Sequence, residues 1–232
     1  IYIFFKKQKH LETNLIGLNH KNILWINISA PSIGDSLMDL SSRILTKDVN
    51  IDLYTEMKNV DLYKSDLNFL NVYTKKTFIN KNKYDLVIID SYSTRSVGIK
   101  NDIAPKLPFV GMFGYFNGPE VNRVLFSFHR MNQLLGYPKN ESQISKMAKA
   151  TLSISENDKN FIANMNLPQK YISIAIGGEW AYRTFNNWES FIEKLFIRDN
   201  ELNIVLTGSS NGDLYAKQLS SKFKNFNMIN CV

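Results

Sequence analysis

A single cysteine, Cys231, stands among the 232 residues, so no intramolecular disulfide can form and no thiolate cluster can hold a metal. That usage fits a reducing compartment such as the cytoplasm. Three histidines, His10, His20 and His129, lie far apart and without ligand spacing, so no metal site is expected. No apolar run is long enough to cross a bilayer. The opening Ile1–Phe5 is too short for a secretory signal, and Lys6, Lys7 and Lys9 stand on the wrong side of it. Neither a Gly-x-Ser-x-Gly elbow nor a Cys/His nucleophile arrangement occurs, and no internal repeat or low-complexity tract is present.

What the chain has is core and positive charge. Apolar residues make up 44% and aromatics 12%, enough for one large or two modest domains. The net charge is +7, and most of it lies early: residues 1–166 hold 21 Lys and Arg against 15 Asp and Glu, the remainder 7 against 6. Such an excess suits anionic partners, whether nucleotides, phosphorylated glycans or acidic lipid surfaces, although a solvated lysine-rich surface would look the same. Basic runs interleaved with aromatics are missing, so nucleic acid is not an expected partner.

The stretch from Ile23 to Met38 organises the chain. Ile23–Ile28 is short, β-branched and bounded by turn residues, as a buried parallel strand should be. Pro31 and Gly34 punctuate a turn, and Leu37, Met38, Leu40, Ile44 and Leu45 recur at helical spacing. In an open parallel sheet, ligands gather at the carboxyl ends of the strands, where Ser32, Gly34 and Asp35 would lie. Two roles are open to Asp35: a helix cap accepting first-turn backbone N–H groups, or a general base at the mouth of a cleft. Gly34 permits either a left-handed turn or close ligand approach.

Strands are predicted at 50–55, 67–73, 84–90 and 109–114, the run Tyr84–Asp90 being the clearest. Residues 91–96 read as a polar loop at the same sheet edge as Asp35, with Ser93 and Arg95 in a hydroxyl-rich rim suited to sugar or phosphate. Residues 119–136 read as a helix closed by Gly136. Alternating strands and helices imply an α/β chain with parallel sheets. Leu167-Pro168 marks a junction, giving domains 1–167 and 168–232. The second holds strands at 171–176, 203–206 and 227–231 and helices at 188–196 and 213–223. Its Gly177-Gly178 turn between strand and helix suits backbone N–H contacts to an anion, and Arg183 adds a guanidinium. Gly208 marks a second such turn. A three-strand sheet has little core of its own and a strand at the terminus leaves an unprotected edge, so the polypeptide is expected to continue beyond Val232; a first residue other than Met fits a processed or trimmed fragment.

Taken in order, these landmarks resemble the heptosyltransferases, glycosyltransferase family 9, bacterial enzymes that build the inner core of lipopolysaccharide. The resemblance rests on Ile23–Ile28 leading into Ser32-Ile33-Gly34-Asp35, and on Tyr84–Asp90 followed by Ser93-Thr94-Arg95-Ser96. It continues through His129-Arg130 to Leu134-Leu135-Gly136, Tyr171–Gly178 with Arg183-x-Phe185, and Val205-Leu206-Thr207-Gly208. It implies a GT-B architecture of two Rossmann-like domains facing a cleft, the second incomplete in this chain. It further implies an inverting, metal-independent sugar transfer with no cofactor beyond a nucleotide-sugar co-substrate, ADP-heptose in most members. On that resemblance Asp35 is the base, Ser32, Gly34, Ser93 and Arg95 face the acceptor, and Gly177, Gly178, Arg183 and Gly208 face the nucleotide sugar. The acceptor would be an anionic glycolipid at the cytoplasmic membrane face. Arg183 stands where the family usually has Lys, and the family's Asp-Thr-Gly nucleotide motif is expected beyond Val232. The rival readings are a nucleotide- or sugar-binding module without turnover, and a transferase of the same family using another donor.

Overall fold

In the computed structural model, residues 2–114, 122–178 and 184–232 are described. The chain divides into two compact units, 1–155 and 156–232. The division falls ahead of Glu156, whereas the sequence places a junction at Leu167-Pro168. That dipeptide sits in the irregular connection inside the second unit, between a helix at Glu156–Asn164 and the strand at Ile172–Ile176.

The first unit carries β1 (Asn22–Asn27), β2 (Asn50–Thr55), β3 (Asn71–Tyr73), β4 (Leu86–Ser91) and β5 (Phe109–Phe113). All pair in parallel in the order β3-β2-β1-β4-β5, a Rossmann-type sheet. Around it lie α1 (Tyr2–Phe5), α2 (Ile33–Asp39), α3 (Val60–Tyr63), α4 (Thr94–Ile103), α5 (Arg123–Leu134) and α6 (Glu141–Met147). Because side chains alternate across a strand, each central strand feeds two cores. Trp25 lies in register with Leu53 and Ile88, and these pack with Met131 and Leu134 of α5 on one face. Leu24, Ile26, Val87 and Ile89 pack with Val97 and Ile103 of α4 on the other. Burial on both faces is why these strands read as unbroken aliphatic runs.

The second unit comprises α7 (Glu156–Asn164), β6 (Ile172–Ile176), α8 (Trp188–Arg198), β7 (Ile204–Gly208), α9 (Asp213–Lys222) and β8 (Met228–Cys231). Its strands form a separate parallel sheet in the order β6-β7-β8. The core joins Ile174, Ile176, Ile204 and Leu206 to Ile192 and Phe196 of α8 and Ala216 and Leu219 of α9. Among the described residues no helix is long and apolar enough to cross a membrane.

Two sequence expectations change. The strand predicted from Leu67 begins only at Asn71, because Asp66 forms a local turn: its Oδ1 accepts from the Asn68 N–H at 2.9 Å, leaving Leu67 97% exposed. The polar stretch 91–96 is not all loop. Ser93 is extended (φ −63°, ψ 155°) and its Oγ accepts the Ser96 N–H at 3.1 Å, so it caps α4, which starts at Thr94.

A buried ion pair ties the first unit together away from the sheet. Arg43 is 1% exposed; its Nε donates to Asp66 Oδ2 at 2.7 Å, and its two NH groups donate to the Leu40 and Thr151 carbonyls. Burial works to raise the Asp66 carboxyl, but the Arg43 and Asn68 hydrogen bonds outweigh it and hold the group below its ordinary value of 3.8. The unfolded chain therefore takes up this proton first as pH falls. The stabilisation is present above the ordinary aspartate value and lost as pH drops through the lower folded value. Asp66→Asn should destabilise the first unit by about 3–5 kcal/mol at pH 7, since it leaves a buried guanidinium unpaired. It should also flatten the acid limb of a plot of urea midpoint against pH; an unchanged limb would show that Asp66 does not carry it.

Candidate active site

Strand order reverses between β1 and β4, and the crevice at their carboxyl ends is where an open α/β sheet receives ligands. Asp90, near the end of β4, builds this crevice. Its Oδ2 accepts the backbone N–H groups of Ile28 and Ser29 at 2.7 and 2.6 Å, and its Oδ1 accepts the Ser96 hydroxyl at 2.5 Å. The carboxyl is 2% exposed, and burial pushes it above the usual carboxylate range despite those bonds. One side chain thus pins the chain leaving β1 to the first turn of α4. Four hydroxyls fill the space beside it: Ser29 Oγ lies 3.0 Å from Ser93 Oγ, 2.7 Å from Ser96 Oγ and 3.1 Å from Ser91 Oγ.

From this anchored loop the chain enters α2 through a capping box. Ser32 Oγ accepts the Asp35 N–H at 3.2 Å, while Asp35 Oδ2 accepts from the Ser32 N–H at 3.1 Å and its hydroxyl at 2.7 Å. Ser32 is therefore the N-cap and Asp35 its N3 partner: the Asp35 carboxylate serves the cap, but by accepting from Ser32 rather than from first-turn N–H groups. Its other oxygen, Oδ1, accepts from Arg123 NH1 at 3.2 Å. Arg123, the first residue of α5, holds Asp39 more tightly, with Nε on Oδ1 and NH2 on Oδ2 at 2.8 Å, and its guanidinium lies 5.5 Å from the Phe113 ring centroid. Burial drives the Asp39 carboxyl up, and Arg123 draws it partly back. A carboxylate offers about four lone-pair positions. Among the described residues, those of Asp35 Oδ2 are both used by Ser32 and one of Oδ1 by Arg123. One remains on a side chain that is 22% exposed.

A second chain of contacts closes the rim. Lys58, just after β2, donates to the Pro31 carbonyl at 3.0 Å and lies 3.0 Å from Glu56 Oε2, and Arg95 NH2 donates to Glu56 Oε1. Burial opposes charge on Glu56, but the Lys58 and Arg95 hydrogen bonds win and hold its carboxyl below the ordinary range. Ser32 and Asp35 after β1, and Ser93 and Arg95 after β4, two stretches far apart in sequence, are thus linked through Ser29, Lys58 and Glu56 at the carboxyl end of the sheet. The Arg95 side chain remains 60% exposed. Gly34 does not make the left-handed turn that was one of its two expected roles: it lies in α2 with no positive φ, and a Cβ there would meet only Ser32 Oγ at 3.8 Å.

Sequence reasoning missed Arg123, Asp39, Glu56 and Lys58. One signal was available: Asp35 and Asp39 are four residues apart on a helix, and two carboxylates on one face call for a cation.

In the second unit, Gly177 and Gly208 end β6 and β7. Gly177 has φ +82°, and a Cβ on it would come within 3.0 Å of Gly212 at the start of α9. A Cβ on Gly208 would stand 2.3 Å from the Ile176 carbonyl oxygen. Both glycines therefore have a packing reason to be there. Gly178 offers its carbonyl to Asn211 Nδ2 at 2.7 Å, which ties the two turns together. Arg183 lies outside the described residues.

No protein-family model matches the chain, and no curated protein matches it in sequence. Solved structures do. A family 9 glycosyltransferase from Veillonella parvula aligns with TM-score 0.66 at 15% identity, over 94% of this chain and 71% of that one. The E. coli heptosyltransferase WaaC with ADP-2-deoxy-2-fluoro heptose aligns with TM-score 0.63 at 16% identity, over 91% and 76%. The E. coli ADP-heptose LPS heptosyltransferase II gives 0.57 at 14%, over 90% and 72%. The chain has a heptosyltransferase-like fold.

The glycine geometry separates two substitutions. Gly208→Ala should destabilise the second unit by about 1–3 kcal/mol, because backbone must move to admit the methyl. Gly34→Ala should stay within about 0.5 kcal/mol. Hydrogen exchange resolved to each unit checks both, and a neutral Gly208→Ala would mean the turn relaxes freely.

Proposed function

We propose that this chain, built on the fold of the family 9 glycosyltransferases, moves a sugar from a nucleotide-sugar donor to a glycolipid acceptor, with Asp35 as the general base. The observation that carries the reading is the placement of the Asp35 carboxylate. It stands at the reversal of strand order, is fixed by Ser32 and Arg123, and keeps one acceptor position open on Oδ1. An acceptor hydroxyl docked there gives its proton to Oδ1. Its oxygen forms a bond to the anomeric carbon from the face opposite the diphosphate, the bond to the diphosphate breaks, and the configuration inverts. Because Ser32 and Arg123 hold the carboxylate without consuming its last lone pair, capping and base catalysis are compatible in one residue.

The donor is a nucleotide diphosphate sugar, ADP-heptose by resemblance; WaaC and its relatives are the neighbours that support this choice. Gly177 and Gly178 would bring backbone N–H groups to the diphosphate, with Arg183 and the turn at Gly208 beside them, so that protein dipoles and a guanidinium, rather than a metal ion, balance the leaving group's charge. Lys58 and Arg95 at the crevice, with Ser93, suit an acceptor carrying carboxylates or phosphates, as a lipopolysaccharide core does. A peripheral position at the cytoplasmic face of the inner membrane follows from that acceptor.

The rival is a module that holds a nucleotide or sugar without turnover, and the full capping box at Asp35 is the observation in its favour. Asp35→Asn keeps the oxygen that serves the cap and removes the proton acceptor. With ADP-heptose and a deacylated lipopolysaccharide core, transfer should fall by about 10²–10⁴-fold, while ADP affinity changes less than threefold. Undiminished transfer would remove Asp35 as base. ADP binding with no transfer by the parent protein would favour the module.

A further inference from the structure

At the opposite end of the first sheet lies a cavity of about 440 Å³. It opens where the chain enters β1 and β2, whereas Asp35 follows the exit of β1. A six-residue strand separates the two by about 20 Å. Its floor is apolar, formed by Ile16, Leu45 and Val49 with Leu135 and Met147. Its rim is cationic: Lys21, Lys47 and Lys139 line it against one carboxylate, Asp48. Among the described residues no carboxylate pairs with any of these three ammonium groups. The volume falls within the range of small-molecule sites.

The backbone around the cavity is fixed by its own hydrogen bonds. The Ile16 N–H donates to the Leu134 carbonyl at 2.7 Å, fastening the entry loop to the end of α5. Within that loop His20 Nδ1 accepts the Gly17 N–H at 3.0 Å, which leaves Nε2 to carry the proton and act as a donor. The Lys21 N–H donates to Asp85 Oδ2 at 2.8 Å, and the Lys21 carbonyl accepts from Asn50 at 2.8 Å. On the far wall, Asn132 clamps the Lys139 backbone from both sides, donating to its carbonyl at 2.9 Å and accepting its N–H at 3.1 Å. The backbone that carries two of the three lysines is thereby fixed before anything binds, which lowers the entropy lost on binding.

An apolar floor under a cationic rim that no described carboxylate pairs with selects one ligand chemistry. We infer that this cavity is a binding site for a single-chain amphiphilic anion, its hydrocarbon seated on Ile16, Leu45 and Leu135 and its phosphate or carboxylate head met by Lys21, Lys47 and Lys139. A neutral amphiphile would gain the floor and leave the lysines unchanged. A bare anion would meet the lysines in high dielectric and gain little. Only a molecule with both parts uses the whole site. The inference does not depend on sugar transfer, because none of these residues belongs to the crevice at Asp35.

Isothermal titration with the full chain tests it, using decyl phosphate below its micelle concentration, decyl maltoside as the neutral control and inorganic phosphate as the bare anion. Decyl phosphate should bind at least tenfold more tightly than either control, and Lys47→Glu with Lys139→Glu should weaken it at least tenfold. Leu45→Gln, which keeps the rim and spoils the floor, should weaken it comparably. Circular dichroism and the thermal midpoint of each variant confirm folding. Co-sedimentation with phosphatidylglycerol and with phosphatidylcholine vesicles then distinguishes the source. Selective, lysine-dependent capture by the anionic vesicles assigns the site to a membrane lipid. Binding of decyl phosphate alone assigns it to a free amphiphile. Equal affinity for decyl phosphate and decyl maltoside, or insensitivity to the charge reversals in folded variants, would overturn the proposal.

Discussion

The first unit depends on one carboxyl group turned toward backbone. Asp90 lies nine-tenths or more out of solvent, yet it accepts two main-chain N–H groups from the end of β1 and a hydroxyl from the first turn of α4. Backbone donors at the end of a central strand must find a partner, because an unpaired buried N–H costs about 1–3 kcal/mol. Asp90 satisfies two of them with a single side chain, and in doing so fixes the direction in which the chain leaves β1. Everything at the crevice inherits that direction: the Ser29 hydroxyl among its three serine neighbours, the Pro31 turn under Lys58, and the capping box at Ser32 and Asp35. The crevice is thus made by a hydrogen-bonded anchor, and the strand order decides only where the anchor can stand.

A second constraint acts on α2 from outside. Asp35 and Asp39 share its crevice-side face, and Arg123 answers both, with the stronger, two-point contact on Asp39. The division of labour follows from burial. Asp39 is nearly inaccessible and needs a cation to remain charged at low cost, whereas Asp35 is partly open to water and takes only one guanidinium bond. Arg123 therefore spends most of its capacity on position and little on the exposed carboxylate. Asp35 is thereby held in place by hydrogen bonds while its side chain stays partly open to water.

The sheet was legible in the sequence because its strands are buried on both faces. Ile23–Ile28 and Tyr84–Asp90 are aliphatic runs that no amphipathic helix of that length would show, and both lie within a residue or two of β1 and β4. Helix α5 was legible for the complementary reason, a 3.6-residue apolar period ending at Gly136. Helix α4 was not, since its first turn spells Thr-Arg-Ser after a serine, the same letters a polar loop uses. Only Oγ acceptance of a backbone N–H three residues on distinguishes a cap from a loop, and that is a fact of conformation. Asp35 was legible as a residue of two possible roles. Its partner Arg123, 88 residues away, was not, because ion pairs across a fold leave no local period. Arg43 was invisible for the same reason: nothing in Ser-Ser-Arg-Ile-Leu announces a guanidinium buried against Asp66.

The two glycine turns of the second unit show how a motif can be read correctly in place and incompletely in cause. Gly177 and Gly208 stand at the carboxyl ends of β6 and β7, where a nucleotide would be received in a parallel sheet. Yet each is required by its neighbours, Gly212 and the Ile176 carbonyl, before any ligand is considered. The close approach of the two turns, reinforced by Asn211 bridging to the Gly178 carbonyl, is itself what brings the start of α9 against the end of β6. A packing requirement at these residues is compatible with the ligand contact proposed for them. A turn that must be glycine in order to close also leaves its backbone unscreened by side chains, and an unscreened backbone at the end of parallel strands is the surface an anionic leaving group can approach most nearly.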